Sequence, residues 1–285
     1  MVGKGYYMSP IKRYLSEEFL ESFLVDFKNL IKIVVNSYGE LDLAIRDNSL
    51  NLYYKGNSLA QISPRKNHRY EISIHRKFFV GTIADNEEFY DERKESGYYI
   101  RLIVSQNKPA RRLLQKSHVN QFCSRVNAVN YGEEIVFEQA LITDNMDRKD
   151  WIIIDRQISD SVLRGKRLDL LALKQVKRNI YQFIVLEVKL GKNPELKEKV
   201  ADQLYGYVQH IQKHIRDYQN CYQLNYAQKK ELGLLDAVPF ETITINDQVE
   251  GVVVVSGYSK MAEKSILELK EKHPDIVVKS YSYQL

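Results

Sequence analysis

The chain has 285 residues, 44% of them hydrophobic and 28% charged, with a formal charge of +5. That size admits one large domain or two ordinary ones, and the balance is that of a globular protein. No apolar run approaches the about 18–20 residues of a membrane helix. The first residues lack the apolar stretch and small-residue cleavage site of a secretory signal. The expectation is a cytoplasmic protein with no membrane partner.

The two cysteines, Cys123 and Cys221, belong to no CxxC or Cys/His cluster, which excludes a disulfide framework and a zinc knuckle. Both are expected to be buried thiols. The mild positive charge permits a phosphate-bearing partner without demanding one. Its distribution is more telling: basic clusters occur at Arg65, Lys66, His68 and Arg69, at Lys108, Arg111, Arg112 and Lys116, at Arg164, Lys166 and Arg167, and at Lys174, Lys177 and Arg178.

In chain order, residues 16–35 read as one amphipathic helix capped by Ser16, with Phe19, Leu20, Phe23, Leu24, Phe27, Leu30 and Ile31 at helical spacing. After Gly39 the pattern turns to strands. Residues 41–46, 50–54, 59–62 and 70–75 are short runs separated by turn-forming residues, which predicts an antiparallel meander. A further strand or helical turn is expected over 98–104. These elements form an N-terminal α+β domain over residues 1–116, of unassigned role.

The remainder, residues 117–285, opens with a helix running to about Thr143 that carries Glu133, Glu134 and Glu138. Strands are expected over 151–158, 167–173 and 181–190, the last two joined by a polar turn over 174–180. A long helix follows Pro194 on the stripe Val200, Leu204, Val208, Ile211 and Ile215, and strand, helix and strand over 252–255, 262–272 and 276–283 complete the domain. This order implies an α/β fold with a mixed sheet.

The run Ile184-Val185-Leu186-Glu187-Val188-Lys189-Leu190 is apolar at both parities, as in a central strand covered on both faces. Side chains two apart on a strand share a face, so Glu187 and Lys189 project together. Burying either charge without a partner costs several kcal/mol. A metal ion is one candidate for the compensation. Carboxylates from adjacent strands can converge on one divalent cation, and hard oxygen ligands select Mg²⁺ or Mn²⁺; Asp169 and Glu187 suit that role. Lys189 would then sit where it could orient an attacking water or stabilise developing negative charge.

Here the chain resembles the PD-(D/E)xK nuclease superfamily, the restriction-endonuclease-like group with RecB- and NucS-type branches. The matching residues are Arg167-Leu168-Asp169-Leu170-Leu171, Glu187-Val188-Lys189, and Gln203 with Tyr207; Leu168 stands where the superfamily's name has proline. The resemblance covers roughly residues 130–255 and implies an αβββαβ core. It implies Asp169, Glu187 and the carbonyl of Val188 as ligands of Mg²⁺, replaceable by Mn²⁺, with Lys189 catalytic and Gln203 supporting. It also implies an acid on the first helix, Glu138 or alternatively Glu134. The expected activity is metal-dependent hydrolysis of phosphodiester bonds, with DNA as the partner on resemblance alone and a homodimer as one admissible assembly. Arg164, Lys166 and Arg167 are the expected nucleic-acid contacts, since they lead into Asp169.

Plainer readings stand beside these. Glu187 and Lys189 could form an ordinary ion pair on an edge strand, and Asp169 could pair with Arg167. Gln203 could be a solvated helix residue. His210 and His214 have metal-ligand spacing but no third ligand, which favours a solvated or tyrosine-packed pair. Tyr53, Tyr54 and Tyr70 could stack nucleobases or serve sheet packing. The whole domain could keep the nuclease fold as a non-catalytic nucleic-acid-binding or protein-interaction module. No GxxxxGK[ST] motif is present.

Overall fold

The computed structural model describes residues 9–105, 110–128, 132–160, 162–163, 167–257 and 260–281. The chain forms two units, each discontinuous in sequence: Tyr14–Ile152 with Asn225–Glu241, and Met1–Arg13 with Ile153–Leu224 and Thr242–Leu285.

The first unit contains α1 (Glu17–Asp26), α2 (Lys28–Val35), β1 (Leu41–Arg46), β2 (Ser49–Tyr54), β3 (Asn57–Arg65), β4 (Arg69–His75), α3 (Arg76–Phe79), β5 (Glu92–Ser96), β6 (Tyr99–Ser105), α4 (Ala110–Leu113), α5 (Lys116–Asn127) and α6 (Glu133–Asp144). Ser16 caps α1, its side chain accepting from the N–H of Phe19. The single helix expected over 16–35 is in fact two, broken at Phe27, whose φ and ψ of −110° and 20° leave the helical region. Consecutive residues Asp26 and Phe27 both turn to Tyr70, one by hydrogen bond and the other ring edge to ring face.

The six strands form one antiparallel sheet in the order β1-β2-β3-β4-β6-β5. The meander appears as expected, its β2–β3 hairpin closing through Lys55 and Gly56, both at positive φ. Alternate residues of β1, β2, β3, β4 and β6 enter a core shared with Phe19, Phe23, Phe27 and Leu30. Tyr54 and Tyr70 belong to that core and so cannot stack bases, while Tyr53 takes the opposite face.

The expected division at residue 116 does not coincide with these units. Helix α6 is tied into the first unit by polar contacts. Gln139 donates to the carbonyl of Gly39 at 3.0 Å and accepts from the N–H of Gly56 at 3.3 Å, and the hydroxyl of Thr143 donates to Gly39 at 3.1 Å.

The second unit holds β7 (Trp151–Ile158), whose first two residues fall on the other side of the division, then β8 (Leu168–Lys177), β9 (Ile180–Leu190), α7 (Glu195–Glu198), α8 (Val200–Lys213) and the part of α9 (Ile215–Glu231) up to Leu224. It ends with β10 (Thr244–Ser256), α10 (Lys260–Lys272) and β11 (Val277–Tyr281). Its sheet runs β11-β10-β9-β8-β7 and is mixed: β8 is antiparallel to β9, while β10 is parallel to β9 and to β11. The fold is therefore mixed α/β with two sheets. The polar turn expected over 174–180 is much shorter, because β8 continues to Lys177. The helix expected after Pro194 is three, interrupted at Lys199 and His214.

Helix α8 lies over β9 and β10. Gly251 on β10 permits this approach, since a Cβ there would fall 2.8 Å from Cγ of Leu204. Gly251 is opposite Val185 in the parallel register, so Val185, Glu187 and Lys189 share the face that α8 covers. Phe183, of the same parity, packs edge-on against Tyr218 and Tyr222 of α9.

Candidate active site

Strand β9 is central and buried along its length, which fits its two-parity apolar pattern. Glu187 is 2% exposed and Lys189 5% exposed. Their side chains meet directly, Lys189 Nζ lying 2.9 Å from Glu187 Oε1. This is a buried ion pair on an interior strand, so the edge-strand alternative does not apply.

Asp169, near the start of β8, is half-buried. Backbone pairing of β8 with β9 runs from Lys177 opposite Ile180 to Leu170 opposite Leu186. Beyond it, the Asp169 carboxylate accepts the N–H of Val188 at 2.9 Å. Asp169 is thereby held beside the strand segment that carries Glu187 and Lys189.

Tyr207 lies on α8 and donates its hydroxyl to the carbonyl of Arg167 at 2.9 Å. Its phenol is pushed up to about 12, first by burial and then by the negative charges of Glu187 and Asp169, with Lys189 opposing. Those three charges and this ring therefore share one electrostatic environment. Gln203, one turn earlier on α8, buries an Oε1 that has no hydrogen-bond partner among the described residues. A buried amide oxygen in that condition is an acceptor for a donor that no described residue supplies.

Sequence reasoning missed Glu195. It opens α7 after a tight turn, where its N–H donates to Asn193 Oδ1 at 3.0 Å. Its Oε2 lies 3.7 Å from Lys189 Nζ, so the lysine is approached by two carboxylates. No spacing rule links residues 189 and 195 across a turn.

Other expected site residues stand differently. Glu138 is buried and Glu134 half-buried on α6, and both belong to the unit of the six-stranded sheet. Arg164 and Lys166 lie outside the described residues. Arg167 is exposed, its carbonyl engaged by Tyr207. His210 is tyrosine-packed: its ring meets Tyr218 edge-on at 6.0 Å and bonds to Asp160. Burial alone would raise the Asp160 carboxyl, but hydrogen bonds from His210, the N–H groups of Leu163 and Val162, and Tyr218 hold it down to about 2. Cys221 is buried and Cys123 only half-buried; burial pushes both thiols up to about 12, which leaves them unreactive near neutrality.

The donor set of the β8–β9 site is chemically suited to a hard divalent cation. Asp169 and Glu187 offer carboxylate oxygens, and Glu187 and Glu195 both face Lys189. Among the described residues, no cluster of three or more His, Cys, Asp or Glu side chains has metal-holding geometry. No described helix is long and apolar enough to cross a membrane. No protein-family model, curated protein or solved structure matches the chain.

Proposed function

We propose that the chain is a metal-dependent nuclease of the PD-(D/E)xK type, with a restriction-endonuclease-like arrangement around β8 and β9, that hydrolyses phosphodiester bonds of DNA. The observation that carries this reading is the convergence of Asp169 and Glu187 from adjacent strands beside Lys189, a lysine only 5% exposed. A buried acid and lysine with a second, half-buried acid beside them are costly to keep unless they serve chemistry.

Asp169, Glu187 and the carbonyl of Val188 would hold Mg²⁺ or Mn²⁺. Such an ion supplies a nucleophilic water at neutral pH and charge neutralisation at the phosphate. The chain's own residues do the rest. The N–H of Val188 fixes the direction of the Asp169 carboxylate. Lys189, held between Glu187 and Glu195, offers ammonium protons to an attacking water or to a phosphate oxygen gaining charge. The Oε1 of Gln203, unpartnered among the described residues, accepts a hydrogen bond from that water or from its neighbour. Tyr207 donates its hydroxyl to the carbonyl of Arg167 and so anchors the chain just before Asp169. The acid implied on α6, Glu138 or Glu134, rests on resemblance alone.

One observation favours a second reading. Lys189 already neutralises Glu187 at 2.9 Å, so the fold can tolerate both charges as a non-catalytic binding module. Cleavage of labelled DNA in Mg²⁺ or Mn²⁺, compared for the native chain, Asp169→Asn and Lys189→Ala, separates the two. Cleavage by the native chain that both variants lose by at least about a hundredfold supports the nuclease. Absence of cleavage, or cleavage that both variants retain, overturns it.

A further inference from the structure

On β4 and β6, Tyr70, Ile72, Ile74, Ile100, Leu102 and Val104 turn to the core. Their alternates take the other face, and there the register brings together an unusual set. Lys94 on β5 is directly opposite Arg101 on β6, and Arg101 is directly opposite Ser73 on β4. Next along, His75 is opposite Tyr99, their rings 5.3 Å apart and edge to face. Tyr99 is 45% exposed, and Tyr98, 77% exposed, lies parallel to His75 at 5.9 Å.

Beside this row the face dips into a concavity of about 420 Å³, to which Ile103 contributes an apolar side chain and Arg65, Arg69 and Lys94 contribute cations. Two carboxylates temper them: Glu71 pairs with Arg65, and Glu92 with Arg69 and Lys94. The four cations Arg65, Arg69, Lys94 and Arg101 thus outnumber the two acids. Arg101 is exposed and has no ion pair among the described residues. Like charges directly opposite on adjacent strands are destabilising, as Lys94 and Arg101 are here. The Nε of Arg69 is buried without a hydrogen-bond partner, a donor that lacks an acceptor.

We propose that this face docks a single strand of DNA, with phosphates against Arg69, Lys94 and Arg101 and bases against Ile103, Tyr99 and Tyr98. An anion relieves the Lys94–Arg101 repulsion. Exposed rings beside cations match the alternation of base and phosphate along a strand. A duplex hides the faces of its bases, so these rings would have nothing to stack on. The choice of DNA rests on the nuclease reading above; the binding surface itself does not.

The test is fluorescence anisotropy of a labelled single-stranded DNA oligonucleotide with the full chain in EDTA, which stops metal-dependent cleavage. RNA and duplex DNA of the same sequence are the comparison arms. Expected is preference for the DNA strand, weakened at least about tenfold in Lys94→Glu/Arg101→Glu and about fivefold or more in Tyr99→Ala, with a shallower salt dependence in the charge variant. Circular dichroism melts of the variants identify any that fail to fold. Arg101→Gln, which removes only one charge from an exposed position, is the reserve. No strand binding, binding unchanged by the folded variants, or preference for RNA or duplex overturns the proposal. Strand binding that persists in a chain shown not to cleave leaves it standing while the nuclease reading falls.

Discussion

The carboxylate of Asp169 stands where the next rung of the β8–β9 ladder would be, accepting the N–H of Val188 at 2.9 Å. Val188 is fully buried, so its N–H depends on that side chain for its hydrogen bond. Asp169→Ala should therefore destabilise the fold by about 1–3 kcal/mol, the cost of an orphaned buried donor. Asp169→Asn retains an acceptor oxygen and should cost less. Urea denaturation midpoints of the two variants check this; equal midpoints would show that the hydrogen bond contributes nothing.

Lys189 and Glu187 form a pair that is costly to break and cheaper to remove whole. Lys189→Met leaves a carboxylate 2% exposed beside Glu195 without its ammonium and should cost about 3–5 kcal/mol. The double variant Glu187→Gln/Lys189→Met should be more stable than the sum of the single effects predicts, by on the order of 1 kcal/mol or more. A thermodynamic cycle built from denaturation curves measures that coupling, and simple additivity would contradict it.

Tyr207 reports on the charge of the site. Its pKa is raised by burial and then by Glu187 and Asp169, so folding favours the neutral phenol. The stability this contributes is complete below the unfolded value near pH 10 and is lost as pH rises through about 12. Glu187→Gln should lower the Tyr207 pKa toward that ordinary value. Titration of ring-labelled tyrosine by NMR, assigned by comparison with Tyr207→Phe, gives the shift; an unchanged or higher pKa contradicts it.

Gly251 sets how closely α8 sits on the sheet. A valine there would press on the Leu204 side chain, whose Cγ, Cδ2 and Cδ1 lie 2.8, 2.9 and 3.0 Å from the position of an added Cβ. Gly251→Val should cost about 1–3 kcal/mol as overpacking, and Leu204→Ala should recover part of that loss in the double variant. Thermal melts compare the three chains. A double variant less stable than Gly251→Val would show that Leu204 is not the obstacle.

What the sequence disclosed follows from how locally each feature is encoded. Strand β9 is legible because burial on both faces requires apolar residues at both parities, and Glu187 and Lys189 stand out against that background. Strand β5, Glu92–Ser96, is exposed throughout, so it has no apolar period and passes for a loop. The break at Phe27 involves neither glycine nor proline; it follows from contacts with Tyr70, remote in sequence. Tyr53, Tyr54 and Tyr70 look alike as letters, and only strand parity separates the exposed face from the core. Glu195 reaches Lys189 through a turn whose path no periodicity predicts.

Because β9 is held between an antiparallel and a parallel neighbour, the chemistry of its two faces is a matter of odd and even numbering. A single residue inserted between Tyr181 and Leu186 that displaced the strand by one place would swap the face presented to α8. Leu186 and Val188 would then point at Gln203 and Tyr207, and the acid and lysine would enter the apolar layer behind. An insertion of two residues would restore the alternation. Natural length variation in this segment should accordingly come in pairs, a constraint on its evolution that no single substitution would reveal.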